Sequence, residues 1–227
     1  MKKTPIVIVA TWILHLWVTA FSASAQKKVA ELTLVYDYSV SNTKQAQASV
    51  TTNATHTVYI KGSKSRSEIT NNDVNNEFSS TIIFDASTGF GVILKEVSGQ
   101  KLLIRLNPDN WKEKNSPYEG LVFKNSPETK EIAGYKCQKA TAQTRSGATI
   151  TVYYTKEILP DNREYEAAFR NLEGLPLEYE LTNGDLKIKY RVSRINLGPV
   201  PASKFDIPRS GYREMNYEDS KKMITGG

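Results

Sequence analysis

Cysteine and histidine are nearly absent from this chain, and their scarcity removes whole classes of chemistry. Cys137 is the single cysteine, and His15 and His56 are the two histidines. One cysteine cannot close an intramolecular disulfide, so the fold must rest on its apolar core. Zinc needs closely spaced His and Cys ligands, which are missing. A Ser-His-Asp or Cys-His arrangement would have to pass through His56 or Cys137. His56, set among Thr and Asn in "VTTNATHTVYI", reads as an exposed strand or loop residue. Cys137 reads as a small buried side chain, with a regulatory or intermolecular thiol as the alternative. The run "NNDVNNE" (Asn71 to Glu77) offers oxygen ligands but lacks the Gly and Glu spacing of a calcium loop. "TGFGV" lacks phosphate-loop spacing and reads as a turn entering a strand. Charge is thin as well: the net +6 is spread without a dense basic run, which argues against a nucleic-acid partner. No catalytic residue, metal or cofactor is expected, and the chain does not read as an enzyme.

What is present begins with an address. Lys2 and Lys3 precede an apolar stretch from Ile6 to Phe21, and Ala23-Ser24-Ala25 has the small residues of a cleavage site. Residues 1–25 therefore read as a signal peptide, cleaved after Ala25, giving a periplasmic or secreted product with no transmembrane anchor. Residues 26–227 are enough for one domain with a sizeable core.

Strand signals dominate that domain. "ELTLVYDYSV" alternates Leu32, Leu34, Tyr36 and Tyr38 against polar neighbours. "HTVYIKGSKSRSEI" reads as a strand, a Gly62 turn and a polar strand; "STIIFDASTGFGVILKEVSGQKLLIRL" reads as three short strands. "NPDNWKEKNSPYEG" reads as a loop containing Trp111. After Pro160 the pair Asp161 and Glu164 has capping-box spacing. Tyr165, Ala168, Phe169 and Leu172 follow at i, i+3, i+4 and i+7, predicting one amphipathic helix that stops at Gly174. A weaker helix is expected from Tyr217 to Met223.

Asn183-Gly184 is a strong hairpin signal. A loop of those two residues pairs Leu181 with Leu186, Tyr179 with Ile188, Leu177 with Tyr190 and Leu175 with Val192. Glu180 and Glu178 then meet Lys187 and Lys189 on the other face. A second hairpin centred on Ser146-Gly147 places Lys139 and Thr141 on the side of Val152 and Tyr154. The economical fold is mainly β with a few helices: one strongly curved antiparallel sheet. Its inward tyrosines either fill a core or line an apolar cleft.

"IAGYKCQKATAQTRSGATITVYYTKEI", followed by "FRNLEGLPLEYEL", resembles the GLPGLI-type exported domains of unknown function, although Leu177-Glu178-Tyr179 stands where that family has Gly-Leu-Ile. "VYIKGSKSRSEI" and "FDIPRSGYREM" add to the likeness, which extends to the lipoprotein-carrier (LolA-like) superfamily. The resemblance implies an unclosed β-barrel covered by short helices, whose concave face holds acyl chains in the true carriers. The expected ligand is a lipid or lipoprotein. It would be held by Leu175, Leu177, Tyr179, Leu181, Ile188, Tyr190 and Val192, under Tyr165 and Phe169. The alternative is a cell-envelope module that binds another protein through an edge strand or the Trp111 loop.

Overall fold

The computed structural model describes residues 26–42, 49–71, 78–97 and 99–225. The readings of residues 1–25 as a signal peptide and of 72–77 as an oxygen-rich run lie outside them. The described elements are strands β1 (Lys27–Val29), β2 (Glu31–Asn42), β3 (Ser49–Lys61), β4 (Lys64–Asn71), β5 (Phe78–Asp85), β6 (Phe90–Val97) and β7 (Gln100–Leu106), then helix α1 (Pro108–Asn115). Strands β8 (Lys124–Ile132), β9 (Tyr135–Gln143), β10 (Thr149–Thr155), β11 (Ile158–Pro160), β12 (Leu175–Asn183), β13 (Leu186–Asn196) and β14 (Arg213–Met215), and helix α2 (Tyr217–Thr225), complete the set.

Twelve of the strands form one sheet in the order β14-β7-β6-β5-β4-β3-β2-β13-β12-β10-β9-β8, antiparallel except for the β14–β7 pair. The sheet is open, as expected from the sequence. Two meanders join where β13 pairs with β2, from Leu186↔Asn42 to Asn196↔Thr33. β7 and β8 lie near opposite edges, so residues 107–123 must travel from one side of the sheet to the other. They carry Leu121, Phe123 and Tyr118 onto the main core on the way. The far edge is blunted: β8 carries Pro127 within a register break, flanked by charged residues, which discourages a further strand from pairing there.

The β12–β13 hairpin forms one pair away from its expected register. Its loop is Gly184-Asp185, with Asn183 opposite Leu186, Leu181 opposite Ile188 and Tyr179 opposite Tyr190. Gly184 takes φ +58° while Asp185 stays at negative φ, in line with glycine at the first central position of a type II′ loop. A shift by a whole pair preserves parity, so the apolar and charged faces are those the sequence implied. The ion pairs become diagonal, Lys187–Glu180 at 2.9 Å and Lys189–Glu178 at 3.1 Å.

In the β9–β10 hairpin the register differs by one residue, which exchanges faces. Val152 lies opposite Ala140 and Ile150 opposite Ala142, so small residues rather than Lys139 and Thr141 back the core. The extra residue sits in the loop, where Thr144 N donates to Ala148 O at 2.9 Å and Gly147 takes φ +86°.

Two helical expectations are corrected. "NPDNWKEKN" is helical: Asn107 caps α1, its side chain accepting from Asn110 N at 2.8 Å while the Asn110 side chain returns to Asn107 N. Proline at the first helical position is compatible with that start. The segment after Pro160 is not one helix but two single 3₁₀ turns, 163–165 and 167–169, separated by extended Glu166 (φ −146°). Asn162, not Asp161, caps the first turn, and its amide also donates to Ser63 O at 2.9 Å. The Arg163 guanidinium fastens the far end by donating to Arg170 O and Leu172 O. These tertiary ties override the helical period.

Gly174 is not a helix stop but a point of close approach. A Cβ there would lie 2.0 Å from Thr155 O and 2.9 Å from Tyr154 Cδ2. Gly174→Ala is therefore expected to lower stability by about 3 kcal/mol or to prevent folding, read as a fall in the denaturant midpoint. An unchanged midpoint would contradict this packing.

Candidate functional site

The concave face is built from residues of one parity on consecutive strands. One cross-strand row runs Ala54, Tyr38, Tyr190, Tyr179, Val152, and the next runs Ile69, His56, Tyr36, Val192. Tyr179 and Tyr190 stack with centroids 4.4 Å apart, and Tyr38 meets Tyr190 edge-on at 5.1 Å. Phe169 descends from the covering segment to meet Tyr179 edge-on at 4.8 Å. The nine site residues expected from sequence all reach this face or its cover. Tyr165, Phe169, Leu175, Leu177, Tyr179, Tyr190 and Val192 are buried, while Leu181 and Ile188 are half-buried and packed against the same cluster.

His56 is the residue the sequence reading placed wrongly. It is 3% exposed, stacked on Tyr36 at 5.5 Å and edge-on to Tyr190 at 5.3 Å. Its parity with Ala54, Val58 and Ile60 carried the signal; its polar neighbours Thr55 and Thr57 point the other way. His56 Nε2 hydrogen-bonds Ser67 Oγ at 2.8 Å, and Nδ1 faces the Tyr179 hydroxyl at 3.4 Å. The Nδ1 partner is a phenol, not the carboxylate that orients a catalytic histidine. Burial pulls the imidazole down to about 4, so it is neutral at pH 7. Cys137 is buried as expected, and burial pushes its thiol up to about 11, which leaves it protonated and weakly reactive.

Exposure changes along the trough. Under residues 161–172 it is closed, with Leu175 and Leu177 at 0%. Toward the β12–β13 loop it opens: Tyr38, Val40, Leu181 and Ile188 are half-buried, and Leu186 is 46% exposed. Polar groups gather on its cover. Burial raises the Glu166 carboxyl, with the Lys114 charge opposing; burial lowers the Lys114 ammonium, with Glu166 opposing and Lys95 adding. Tyr165 Oη is buried without a hydrogen-bond partner. Trp111 is not a free docking residue, because its ring stacks on Phe84 at 3.7 Å. Among the described residues no cluster of His, Cys, Asp and Glu could hold a metal ion, and no helix is long and apolar enough to cross a membrane.

Residues 42–168, more than half of the chain, match the model of a family described as a domain of unknown function, DUF4412. The chain belongs to that family. No curated protein matches the sequence. Among solved structures, PNGF-II aligns at TM-score 0.49 and 15% identity, over 86% of this chain and 34% of that one. The chain thus spans about a third of PNGF-II. A β-barrel-like DUF1849 protein from Brucella abortus aligns at TM-score 0.40 and 8% identity, over 76% and 99% of the two chains. MucB in the Pseudomonas aeruginosa MucA/MucB complex aligns at 0.30 and 9%, over 78% and 56%. These TM-scores lie below 0.5 and carry no inference about ligand or activity.

The His56 environment has a pH signature. Its folded value lies below the ordinary 6.5, so the unfolded chain binds the proton first and stability falls as pH drops from 6.5 toward 4. The loss over that window is about 3 kcal/mol. Chemical denaturation of wild type and His56→Phe at several pH values should show this slope in the first and a flatter one in the second. Equal slopes would contradict the assignment.

Proposed function

We propose that this DUF4412 protein is an exported, non-catalytic binding protein that holds a hydrophobic ligand, such as the acyl chain of a lipid or lipoprotein, at the open end of its concave face. The leader-like residues 1–25, with cleavage after Ala25, support a periplasmic or secreted location. The observation that carries the ligand reading is the exposure gradient along one apolar row. Leu177 and Tyr179 are buried, Leu181 and Ile188 half-buried and Leu186 exposed. An apolar strip that runs from the core into solvent offers a chain a continuous surface, and covering it is favourable by roughly 25 cal/mol per Å².

The buried part of the row is committed to the fold. Phe169 is 3% exposed and in contact with Tyr179, so it serves as core rather than as a lid that swings. Ligand contact falls to Tyr38, Leu181 and Ile188, half-buried at the open end. Docking of a protein partner through an edge strand is the weaker reading, given the Pro127 register break on β8 and the three-residue length of β14.

The test uses Nile red, a neutral apolar dye. Wild type should raise its emission, and Leu181→Asp combined with Ile188→Asp should weaken binding by about tenfold or more. The variant should keep a cooperative thermal transition, because both positions are half-exposed. Binding equal to wild type in the folded variant would overturn the reading.

A further inference from the structure

The tyrosine-rich rows of the concave face run on to a cationic end. From Tyr36 and His56 the second row continues through Ile69 on β4 and Ser80 on β5 to Lys95 on β6. Lys95 shares its face with Ile93, two residues earlier, which packs in one cluster with Trp111 of α1. The row of Tyr190, Tyr38 and Ala54 ends in the same way at Val97, the last residue of β6. Lys95 therefore stands near the open end of the trough, on the other half of the sheet from Leu181 and Ile188. Helix α1 brings a second cation to this face: Lys114 follows Trp111 by one turn and holds its Nζ 5.9 Å from the Trp111 ring centroid. Both lysines are half-buried.

The two ammoniums are not matched by carboxylates. The cross-strand partners of Lys95 are Ser80 and Leu102, both uncharged. Among the described residues neither Lys95 nor Lys114 forms an ion pair, and the acids beside them in sequence are used elsewhere. Glu96 lies on the convex side, paired with Lys101 at 3.2 Å and accepting from the Tyr212 hydroxyl, and Glu113 pairs with Lys221 at 2.6 Å. Glu166 on the cover is the carboxylate whose charge acts on Lys114. With Glu166 ionised the lysines are one positive charge in excess; burial raises its carboxyl, and protonation would leave two. The lysines also oppose each other, the Lys95 charge adding to the burial that lowers the Lys114 ammonium. An anion beside both would replace that repulsion by attraction.

We propose that the trough selects an anionic amphiphile, whose acyl chain lies on Tyr38, Leu181 and Ile188 and whose carboxylate or phosphate head group is held by Lys95 and Lys114. The proposal rests on the trough reading above and adds to it the charge of the ligand.

Calorimetric titration with decanoate, decyl phosphate and neutral 1-decanol tests it. Wild type should bind at least one of the two anions more tightly than decanol, and the tighter anion assigns the head group. Lys95→Gln should weaken that anion by about fivefold or more and leave decanol unchanged, whereas Lys95→Arg should keep the preference. Lys95 is half-buried and makes no hydrogen bond among the described residues, so both variants should fold. Leu181→Asp with Ile188→Asp should weaken all three probes together. Equal affinity of wild type for decanol and both anions, or an anion affinity unchanged in Lys95→Gln, would overturn the head-group site and leave the apolar trough standing. Binding of none of the three would overturn the trough reading and this proposal with it.

Discussion

The structure depends on the pairing of β13 with β2, which joins two meanders into a single sheet. On its concave side that pairing brings Tyr190 beside Tyr38 and Val192 beside Tyr36, and the neighbouring strands add Tyr179 and His56. Ring contacts of 4.4 to 5.6 Å tie these groups together. Each such pair contributes about 0.5–1.5 kcal/mol beyond its area burial. Without a disulfide, this row and the aliphatic side chains beside it are what can hold β2 and β13, far apart in sequence, together. The cover follows from it, with Phe169 packed on Tyr179, and the Tyr36 hydroxyl ties β2 to β12 by donating to Pro176 O at 2.9 Å.

Burial on one face leaves the other to charge. Glu178, in the same strand as Tyr179, is 6% exposed and meets Lys130 at 2.8 Å, Lys189 at 3.1 Å and Arg191 at 3.7 Å. Burial pushes its carboxyl up, but the hydrogen bonds from Lys130 and Lys189 outweigh that and hold it below the usual range. A one-residue slip of β12 would put this carboxylate into the aromatic row and Tyr179 into the lysines. The register is thus defended on both faces. At the other half of the sheet both faces are apolar, the convex one packed under Val200, Phe205 and Tyr212.

Much of this was legible from residue periodicity. The alternation in β2, the short strands β5 to β7 and the apolar face of the β12–β13 hairpin follow from side-chain parity, which a single sequence carries. Loop geometry is less well encoded. Asn183-Gly184 and Gly184-Asp185 are both good two-residue loops, and the choice is made by the partners across the sheet, Tyr190 on Tyr38. In the β9–β10 hairpin the three residues 145–147 form the loop, and one added residue was enough to exchange the faces. The helical stripe after Pro160 was real as a set of buried residues, but Asn162 and Arg163 hold the backbone through ties to Ser63 and Leu172 that no local pattern announces. His56 was misread because its immediate neighbours are polar, whereas in a strand the informative neighbours are two residues away. The convex core beneath Phe205 rests on contacts between distant parts of the chain that periodicity does not contain.

The central claim is that the open concave trough carries a hydrophobic ligand. The most direct measurement is native mass spectrometry, beside denaturing mass spectrometry, on the protein purified from its native host cells. A mass present in the native spectrum, lost on denaturation and identified as a lipid or acyl chain is the expected result. The same mass retained by a folded protein carrying Leu181→Asp and Ile188→Asp, or a bare protein from lipid-replete cells, would contradict it.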